Sequence, residues 1–112
     1  MGKINSRLKG KTGELELASE LRKIFGANAR RGQQFSGSYD SPDIVHNIDG
    51  LHIECKRTEK LNLYAAMEQA KRDAGDKTPV VCHRKNRRDW VMVIELARLK
   101  DLIEIFNKFN EE

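Results

Sequence analysis

The stretch PDIVHNIDGLHIECK, residues 42–56, decides how this chain is expected to fold. Asp49-Gly50 is a strong signal for a type I′ hairpin turn, because both central residues of that turn need a positive φ. Apolar residues lead into the turn and out of it, so we expect two antiparallel strands within a hairpin over residues 43–57. Pro42 fits the start of a strand, where its missing N–H does no harm.

The register of this hairpin predicts that three charged side chains share one face. With Asp49 and Gly50 as the loop residues, Asp43 lies opposite Lys56 and is a diagonal neighbour of Glu54, roughly 7 Å away. Side chains alternate along a strand, so all three point to the same side. Two carboxylates and an ammonium so placed can hold a divalent cation beside a phosphate. Cross-strand ion pairing on an exposed sheet face would give the same pattern, so the hairpin alone does not establish a site.

The composition indicates one domain over residues 1–112. Charged residues make up 34% of the chain and the mean hydropathy is -0.68, while no apolar run approaches the ~20 residues that cross a bilayer. The first residues lack the apolar stretch of a signal peptide, and two cysteines with free thiols suit a reducing compartment. We therefore expect a soluble cytoplasmic protein with no membrane contact.

The charge distribution favours a polyanionic partner. The net charge is +4 and the isoelectric point is about 9.2. Basic residues crowd three segments, residues 3–11, 30–31 and 84–88. Any one of these could be a solvated loop, but three clusters around a carboxylate site favour phosphate binding. Residues 1–12 are expected to form a flexible basic arm.

Periodicity predicts an α+β domain with the element order α-β-β-β-α-β-β-α and a mixed sheet flanked by helices. Capping and turn residues set the boundaries. The expected elements are a helix over 13–25 ended by Gly26, a short strand and loop within 27–41, the hairpin 43–57, a helix between Asn62 and Gly75, buried strands over 79–83 and 90–94, and an amphipathic helix carrying Leu99, Leu102, Ile103 and Phe106.

The first predicted helix carries a carboxylate on its apolar face. Glu14 lies near the centre of this face at 100° per residue. The apolar stripe consists of Leu17, Ala18, Leu21, Ile24 and Phe25. Burying Glu14 is costly unless it meets a cation or hydrogen-bond donors. A partly solvated place in the first turn, favoured by the helix dipole, would explain it equally well.

Together these features resemble the PD-(D/E)xK nuclease superfamily. Within it the chain looks most like the small archaeal Holliday-junction resolvases and the compact resolvase-like nucleases often found in phages. Pro42-Asp43 and Glu54-Cys55-Lys56 match the motif itself, and residues 8–14 resemble the basic, glycine-containing segment that leads into an acidic first helix. Arg30-Arg31 followed by Ser36-Gly37 resembles the Arg…Ser-Gly segment ahead of the motif. The order of these segments is more specific than the short motif.

The resemblance implies a restriction-endonuclease-like core and a Mg²⁺-dependent endodeoxyribonuclease, with Mn²⁺ as a substitute. The implied metal ligands are Glu14, Asp43, Glu54 and the backbone carbonyl oxygen of Cys55. Lys56 would orient or deprotonate the attacking water and stabilise charge on the phosphate. Gln69 corresponds, more loosely, to a glutamine that some members use near the site.

The resemblance also implies branched or duplex DNA as the partner and a homodimer that cuts two strands symmetrically. The residues expected to bind DNA are Lys9, Lys11, Arg30, Arg31, Ser36, Arg57, Lys85, Arg87 and Arg88. Ile105 and Phe109, outside the main stripe of the last helix, are candidates for the dimer surface, and a helix packed on its own sheet with a frayed end is the alternative. Two alternatives stay open: a repair or restriction-like nuclease acting on linear duplex, and a non-catalytic DNA-binding or packaging accessory with the same fold.

A zinc site is the remaining alternative, because two histidines and two cysteines superficially form a ligand set. Strand alternation argues against it. His52 and Cys55 point to opposite faces of their strand, and Cys82 and His83 do the same in theirs.

Overall fold

The computed structural model describes residues 6–32 and 43–111, without the side chains of residues 6–9. The elements follow the predicted order, with one added 3₁₀ turn at Leu96–Arg98. In chain order they are α1 (Ser6–Phe25), β1 (Arg30–Arg31), β2 (Ile44–Val45), β3 (Leu51–Arg57), α2 (Leu63–Ala74), β4 (Thr78–Arg84), β5 (Val91–Val93) and α3 (Leu99–Asn110). The predicted α+β class with a mixed sheet is confirmed.

The central sheet consists of β3, β4 and β5 in that spatial order. β3 and β4 are parallel, with Leu51 opposite Thr78 and Arg57 opposite Arg84, whereas β5 is antiparallel to β4. The helix α2 joins two parallel strands, so it must run back antiparallel to β3. This crossover determines which residues of α2 lie above which residues of β3.

The predicted hairpin between β2 and β3 is wrong. β2 pairs with β1 instead, with Arg30 opposite Val45, and the described residues contain no ladder between β2 and β3. Gly50 has φ 86, while Arg87 is the only non-glycine residue with positive φ in the described part of the chain. The Leu51 N–H bonds to the Ile48 carbonyl at 3.3 Å, so the signs of φ are those of a type II turn. Such a turn splays its strands, which is why no hairpin ladder forms.

The first helix begins at Ser6, earlier than the predicted residue 13, so residues 6–12 do not form the expected flexible arm. Only Gly10 weakens the helix in that stretch, at a cost of ~1 kcal/mol. Residues 1–5 of the predicted arm lie outside the described residues. Gly26 ends the helix as predicted, with φ 68 and its N–H bonded to the Arg22 carbonyl at 3.0 Å. The earlier start places Glu14 in mid-helix, which removes the first-turn explanation for this carboxylate.

Helix α1 covers one face of the sheet with its predicted apolar stripe, except at its last turn. Leu17, Ala18 and Leu21 are buried. Ile24, predicted to lie in the stripe, is 64% exposed. Phe25 packs against Phe106 of α3 with ring centroids 4.9 Å apart, so α3 covers only the Phe25 side of this turn.

Helix α2 covers the other face, with the predicted caps and apolar side. The Asn62 side chain accepts a hydrogen bond from the Ala65 N–H at 3.1 Å, and Gly75 follows the last turn with φ 61. The buried residues of α2 are Ala66, Met67, Ala70 and Ala74. They include four of the five positions predicted for its apolar face, and the fifth, Leu63, is half-buried.

Two expectations about the C-terminal part need correction. β5 is the edge strand of the described sheet, with Val91 53% exposed, so it is not buried on both faces. Ile105 and Phe109 of α3 pack against the core, whereas Leu99 and Ile103 are 42% and 53% exposed. The helix is therefore rotated relative to the predicted stripe, and the candidate dimer residues face inward. None of the described helices combines the length and apolarity needed to span a bilayer.

Gly13 provides a test of how α1 packs on β3. A Cβ at Gly13 would overlap the Cβ of Arg57, whereas a Cβ at Gly10 of the same helix would meet no described atom within 4 Å. Gly13→Ala should therefore lower the free energy of unfolding by about 1–3 kcal/mol. Gly10→Ala, the matched control, should raise it by about 0.5–1 kcal/mol through helix propensity. Urea unfolding followed by circular dichroism measures both, and equal effects would contradict this packing.

Candidate active site

The strand β3 separates an apolar face from a polar one. Ile53 and Cys55 pack into the core on the α1 side, so His52, Glu54 and Lys56 point to the opposite side, towards α2. Glu54 is only 3% exposed. The inward Cys55 side chain agrees with the strand alternation expected from the sequence.

Asp43 reaches β3 through its side chain. Asp43 Oδ2 accepts a hydrogen bond from the Cys55 backbone N–H at 3.1 Å. This bond links the residue before β2 to the middle of β3 where no backbone ladder exists. Burial first, and then the negative charge of Glu54, raise the pKa of Asp43 to about 6, and Glu14 adds a smaller effect in the same direction.

Glu14 joins this group from α1. Its side chain is 16% exposed, and Arg31 Nε donates a hydrogen bond to Glu14 Oε1 at 2.8 Å. Burial raises the pKa of Glu14 although the Arg31 guanidinium opposes the shift, and Glu54 contributes to the increase. Three carboxylates from three separate elements are thus close enough to affect one another's protonation.

Lys56 lies at the edge of the carboxylate group and is held by α2. Lys56 Nζ donates a hydrogen bond to Gln69 Oε1 at 2.9 Å and lies 3.9 Å from Glu54 Oε1. Because α2 runs antiparallel to β3, Gln69 near the middle of the helix lies over Lys56 near the end of the strand. The contact gives Gln69, whose assignment from sequence was loose, a defined place beside the ammonium group.

The donor types suit a divalent cation, although the ligand atoms of Glu14, Asp43 and Glu54 do not all lie within 4.8 Å of one another. Glu14, Asp43 and Glu54 offer hard carboxylate oxygens, the ligands that Mg²⁺ and Mn²⁺ prefer. Arg31 and Lys56 compensate part of their charge, yet burial still raises the pKa of Asp43 and of Glu14. Desolvated negative charge therefore remains under-compensated, which is the condition that a bound cation would relieve.

Arg57 differs from the phosphate-binding role expected of it. Its side chain is 12% exposed and lies 3.6 Å from the carboxylate of Glu16. It also donates to Asn86 Oδ1 at 2.9 Å, and Glu59 accepts from the Asn86 backbone N–H at 2.8 Å. Arg57 is thus engaged in holding the turn between β4 and β5.

The other predicted DNA-binding residues fall into three groups. Lys11 and Arg30 are exposed, as are the turn residues Lys85, Arg87 and Arg88. Arg31 is engaged with Glu14. Ser36 and the side chain of Lys9 lie outside the described residues, as does Pro42 of the motif.

Sequence reasoning considers His52 only as a zinc ligand and does not identify Asp73. His52 Nε2 lies 3.3 Å from Glu54 Oε2, and Asp73 of α2 offers a third ligand atom to the same group. The available signals were the i, i+2 spacing of His52 and Glu54 in a strand and the i, i+4 spacing of Gln69 and Asp73 in a helix.

The rejected zinc set does not converge. Cys55 and Cys82 pack into the α1-side core, while His83 Nε2 contacts the Thr58 carbonyl oxygen at 2.8 Å. His52 belongs instead to the group with Glu54 and Asp73.

Comparison with protein families identifies a match over nearly the whole sequence. The model of the family described as "Phage putative PDDEXK endonuclease" matches residues 5–112. The chain belongs to this family. It is therefore a nuclease by class, and the resemblance drawn from residues 42–56 is confirmed at that level. A search of the curated proteins found no match, and neither did a search of the solved structures.

The raised pKa of Asp43 predicts a pH-dependent stability in metal-free buffer. An acid whose folded-state pKa is raised contributes stability that is present below its unfolded pKa of 3.8 and is lost as the pH rises through about 6. Asp43→Asn keeps a side-chain oxygen for the Cys55 N–H and removes the charge. At about pH 8 with chelator, the variant should be more stable than the native chain by about 2 kcal/mol, and the difference should shrink towards about pH 4.

Urea unfolding at a series of pH values measures this effect. Asp76→Asn, which removes an equivalent charge from an exposed residue, is the control and should change little. An Asp43→Asn variant less stable than the native chain at high pH would contradict the buried-carboxylate description.

Proposed function

We propose that this protein hydrolyses phosphodiester bonds in DNA with Mg²⁺ or Mn²⁺ and selects branched DNA of the Holliday-junction type. The observation that carries the proposal is that Glu14, Asp43 and Glu54 are near enough to affect one another's pKa, while Gln69 holds Lys56 beside Glu54. Family membership supports the nuclease class. The metal, the DNA structure and the residue roles are the proposed part.

Each residue of the group has a role that follows from its position. Glu14, Asp43 and Glu54 would hold the ion, together with the backbone carbonyl of Cys55. When bound, the ion supplies positive charge to the phosphate and lowers the pKa of a water. Lys56 would orient that water towards the phosphorus atom and stabilise the charge that develops on the phosphate oxygens. Gln69 would position Lys56, since its side-chain oxygen accepts from Nζ at 2.9 Å.

Arg31 has a role that depends on the state of Glu14. In the metal-free protein the guanidinium neutralises this carboxylate at 2.8 Å. Once Glu14 has another counter-charge, Arg31 becomes available for a DNA phosphate. The pair would thus keep the buried carboxylate stable until the site is loaded.

The turn between β4 and β5 would provide the main contact with the DNA backbone. Lys85, Arg87 and Arg88 are exposed there, and Arg57 lies opposite Arg84 at the same end of β3 that carries Lys56. Arginine and lysine contacts of this kind position phosphates without reading bases. A surface that reads backbone shape suits a branched substrate.

A two-fold dimer would present two such sites to the paired strands of a junction. The exposed apolar residues Leu96, Leu99 and Ile103 follow i, i+3, i+7 spacing, so they replace Ile105 and Phe109 as candidates for the dimer surface. For a phage-encoded nuclease the place of action would be the host cytoplasm.

Cleavage of a synthetic four-way junction tests the proposal. The native protein should nick the junction only with Mg²⁺ or Mn²⁺, and faster than a linear duplex of the same sequence. Glu54→Ala and Lys56→Ala should abolish cleavage and leave DNA binding largely intact, since neither residue lies on the basic turn. The matched control is Glu68→Ala, which removes an exposed carboxylate from α2 and should leave cleavage unchanged.

The outcomes separate the alternatives. Equal rates on junction and duplex would indicate a repair or restriction-like nuclease. Binding without metal-dependent cleavage would indicate the non-catalytic accessory. Cleavage at the native rate by either the Glu54 or the Lys56 variant would disprove the assigned roles.

The basic turn can be tested separately through the salt dependence of DNA binding. The logarithm of the binding constant should fall linearly with the logarithm of salt concentration, with a slope of about 0.9 per phosphate contact. Replacing Lys85 and Arg87 by alanine should weaken binding and reduce this slope by about one to two. The control replaces Lys100 and Lys108 of α3, since Lys108 lies beside Asp49 and Gly50 at the far end of β3. Equal losses in both double variants would show that the turn is not the DNA surface.

A further inference from the structure

A second group of metal-binding side chains adjoins the proposed active site. It consists of His52 and Glu54 of β3 and Asp73 of α2, whose ligand atoms all lie within 4.8 Å of one another. Within the described residues this is the one group of three histidine, cysteine or acidic side chains that meets that spacing. Neither the motif nor the family description assigns a role to His52 or Asp73.

The crossover from β3 through α2 to β4 produces this arrangement. His52, Glu54 and Lys56 project from the same face of β3. Because α2 runs antiparallel to β3, Gln69 lies over Lys56 at one end and Asp73 lies over His52 at the other. Glu54 stands between the two pairs. The polar face of the strand is therefore covered by two polar positions of the helix, one turn apart.

The two oxygens of Glu54 face different neighbours. Oε1 lies 3.9 Å from Lys56 Nζ, and Oε2 lies 3.3 Å from His52 Nε2. One oxygen thus faces Lys56 of the proposed catalytic group and the other faces His52. A carboxylate whose two oxygens face different neighbours can bind a cation in each of two adjacent sites, as in two-metal phosphodiester hydrolysis.

The ligand types favour a transition metal. Imidazole nitrogen together with carboxylate oxygen suits Mn²⁺, Fe²⁺, Co²⁺ or Zn²⁺, whereas Mg²⁺ prefers oxygen alone. His52 and Glu54 are buried, at 8% and 3% exposure, and Asp73 is exposed. The group therefore has two buried ligands, His52 and Glu54. The third ligand, Asp73, lies at the surface, where ions can enter from solvent.

We infer that His52, Glu54 and Asp73 form a second divalent-cation site, selective for transition metals over Mg²⁺ and sharing Glu54 with the catalytic site. The inference rests on the proposed function, because the two sites share Glu54. It extends that function by naming the chemical class of the second metal. An ion there would be coordinated by a histidine nitrogen, which the carboxylate site of Glu14, Asp43 and Glu54 does not provide.

Histidine coordination gives the inference a readout independent of cleavage. The chain has three histidines, and protein labelled with ¹⁵N only at histidine can be loaded with Mn²⁺ and studied by pulsed electron paramagnetic resonance. The expected result is a ¹⁵N hyperfine coupling from directly bound imidazole that persists in excess Mg²⁺. His52→Gln should abolish this coupling, with folding checked by circular dichroism.

Asp73→Asn provides the variant that should fold without difficulty, because Asp73 is exposed. It should weaken binding of the nitrogen-coupled Mn²⁺ by at least about tenfold, the lower range for losing a partner in a metal site. Asp76→Asn removes the same charge just beyond α2 and should leave this affinity unchanged. Titration of the coupled signal with Mn²⁺ measures both.

The outcomes distinguish this site from the proposed function. Absence of ¹⁵N coupling at saturating Mn²⁺, or a coupled signal that Asp73→Asn leaves unaltered, overturns the second site, even where junction cleavage is observed. Coupling that depends on Asp73 in a protein that cleaves no DNA supports the metal site and contradicts the nuclease proposal.

Discussion

The hydrogen bond from the Cys55 N–H to Asp43 Oδ2, 3.1 Å long, is the contact on which the geometry of the site depends. β2 is paired with β1, so no backbone ladder holds Asp43 against β3. The side chain makes the connection itself and thereby brings its carboxylate beside Glu54. This contact uses an acceptor that carries negative charge, which strengthens the bond but places two carboxylates close together in a desolvated setting.

The same setting explains the surrounding cations. Arg31 neutralises Glu14, and Lys56 lies between Glu54 and Gln69. Each positive group is held by a fixed partner in the metal-free protein, so both charges have defined positions beside the carboxylates. A further set of ion pairs, in which Glu16 binds Arg57 and Arg84, fixes the end of the sheet next to this group. The basic turn is consequently attached to the strand that carries Glu54 and Lys56 rather than free to move independently of it.

The sequence predicted the element order, and its strand-pairing prediction failed where tertiary contacts override local signals. The Asp49-Gly50 pair is typical of a type I′ hairpin. However, β2 pairs with β1 instead of β3, and a strand of only two residues such as β1 gives little signal in the sequence. Asp43 nevertheless reached Glu54, because a side-chain contact replaced the predicted ladder. The apolar periodicity of α3 predicts the helix but does not fix its rotation, so Ile105, outside the predicted stripe, packs against the core. The i, i+4 spacing of Gln69 and Asp73 is a weak signal for Asp73, because only the antiparallel path of α2 over β3 brings it to His52.

The energetic cost of this group argues for an enzyme rather than a DNA-binding accessory. A protein that only bound DNA would gain from lysine and arginine on its surface and would lose stability by burying Glu54 and raising the pKa of Asp43 and Glu14. A simple structural ion pair would need one carboxylate for each cation, whereas here three carboxylates share Arg31 and Lys56. Side chains that lower the stability of a fold are commonly found at functional sites, where their chemistry is used. The surplus of desolvated negative charge beside an exposed basic turn therefore favours the nuclease class of the family over a DNA-binding accessory.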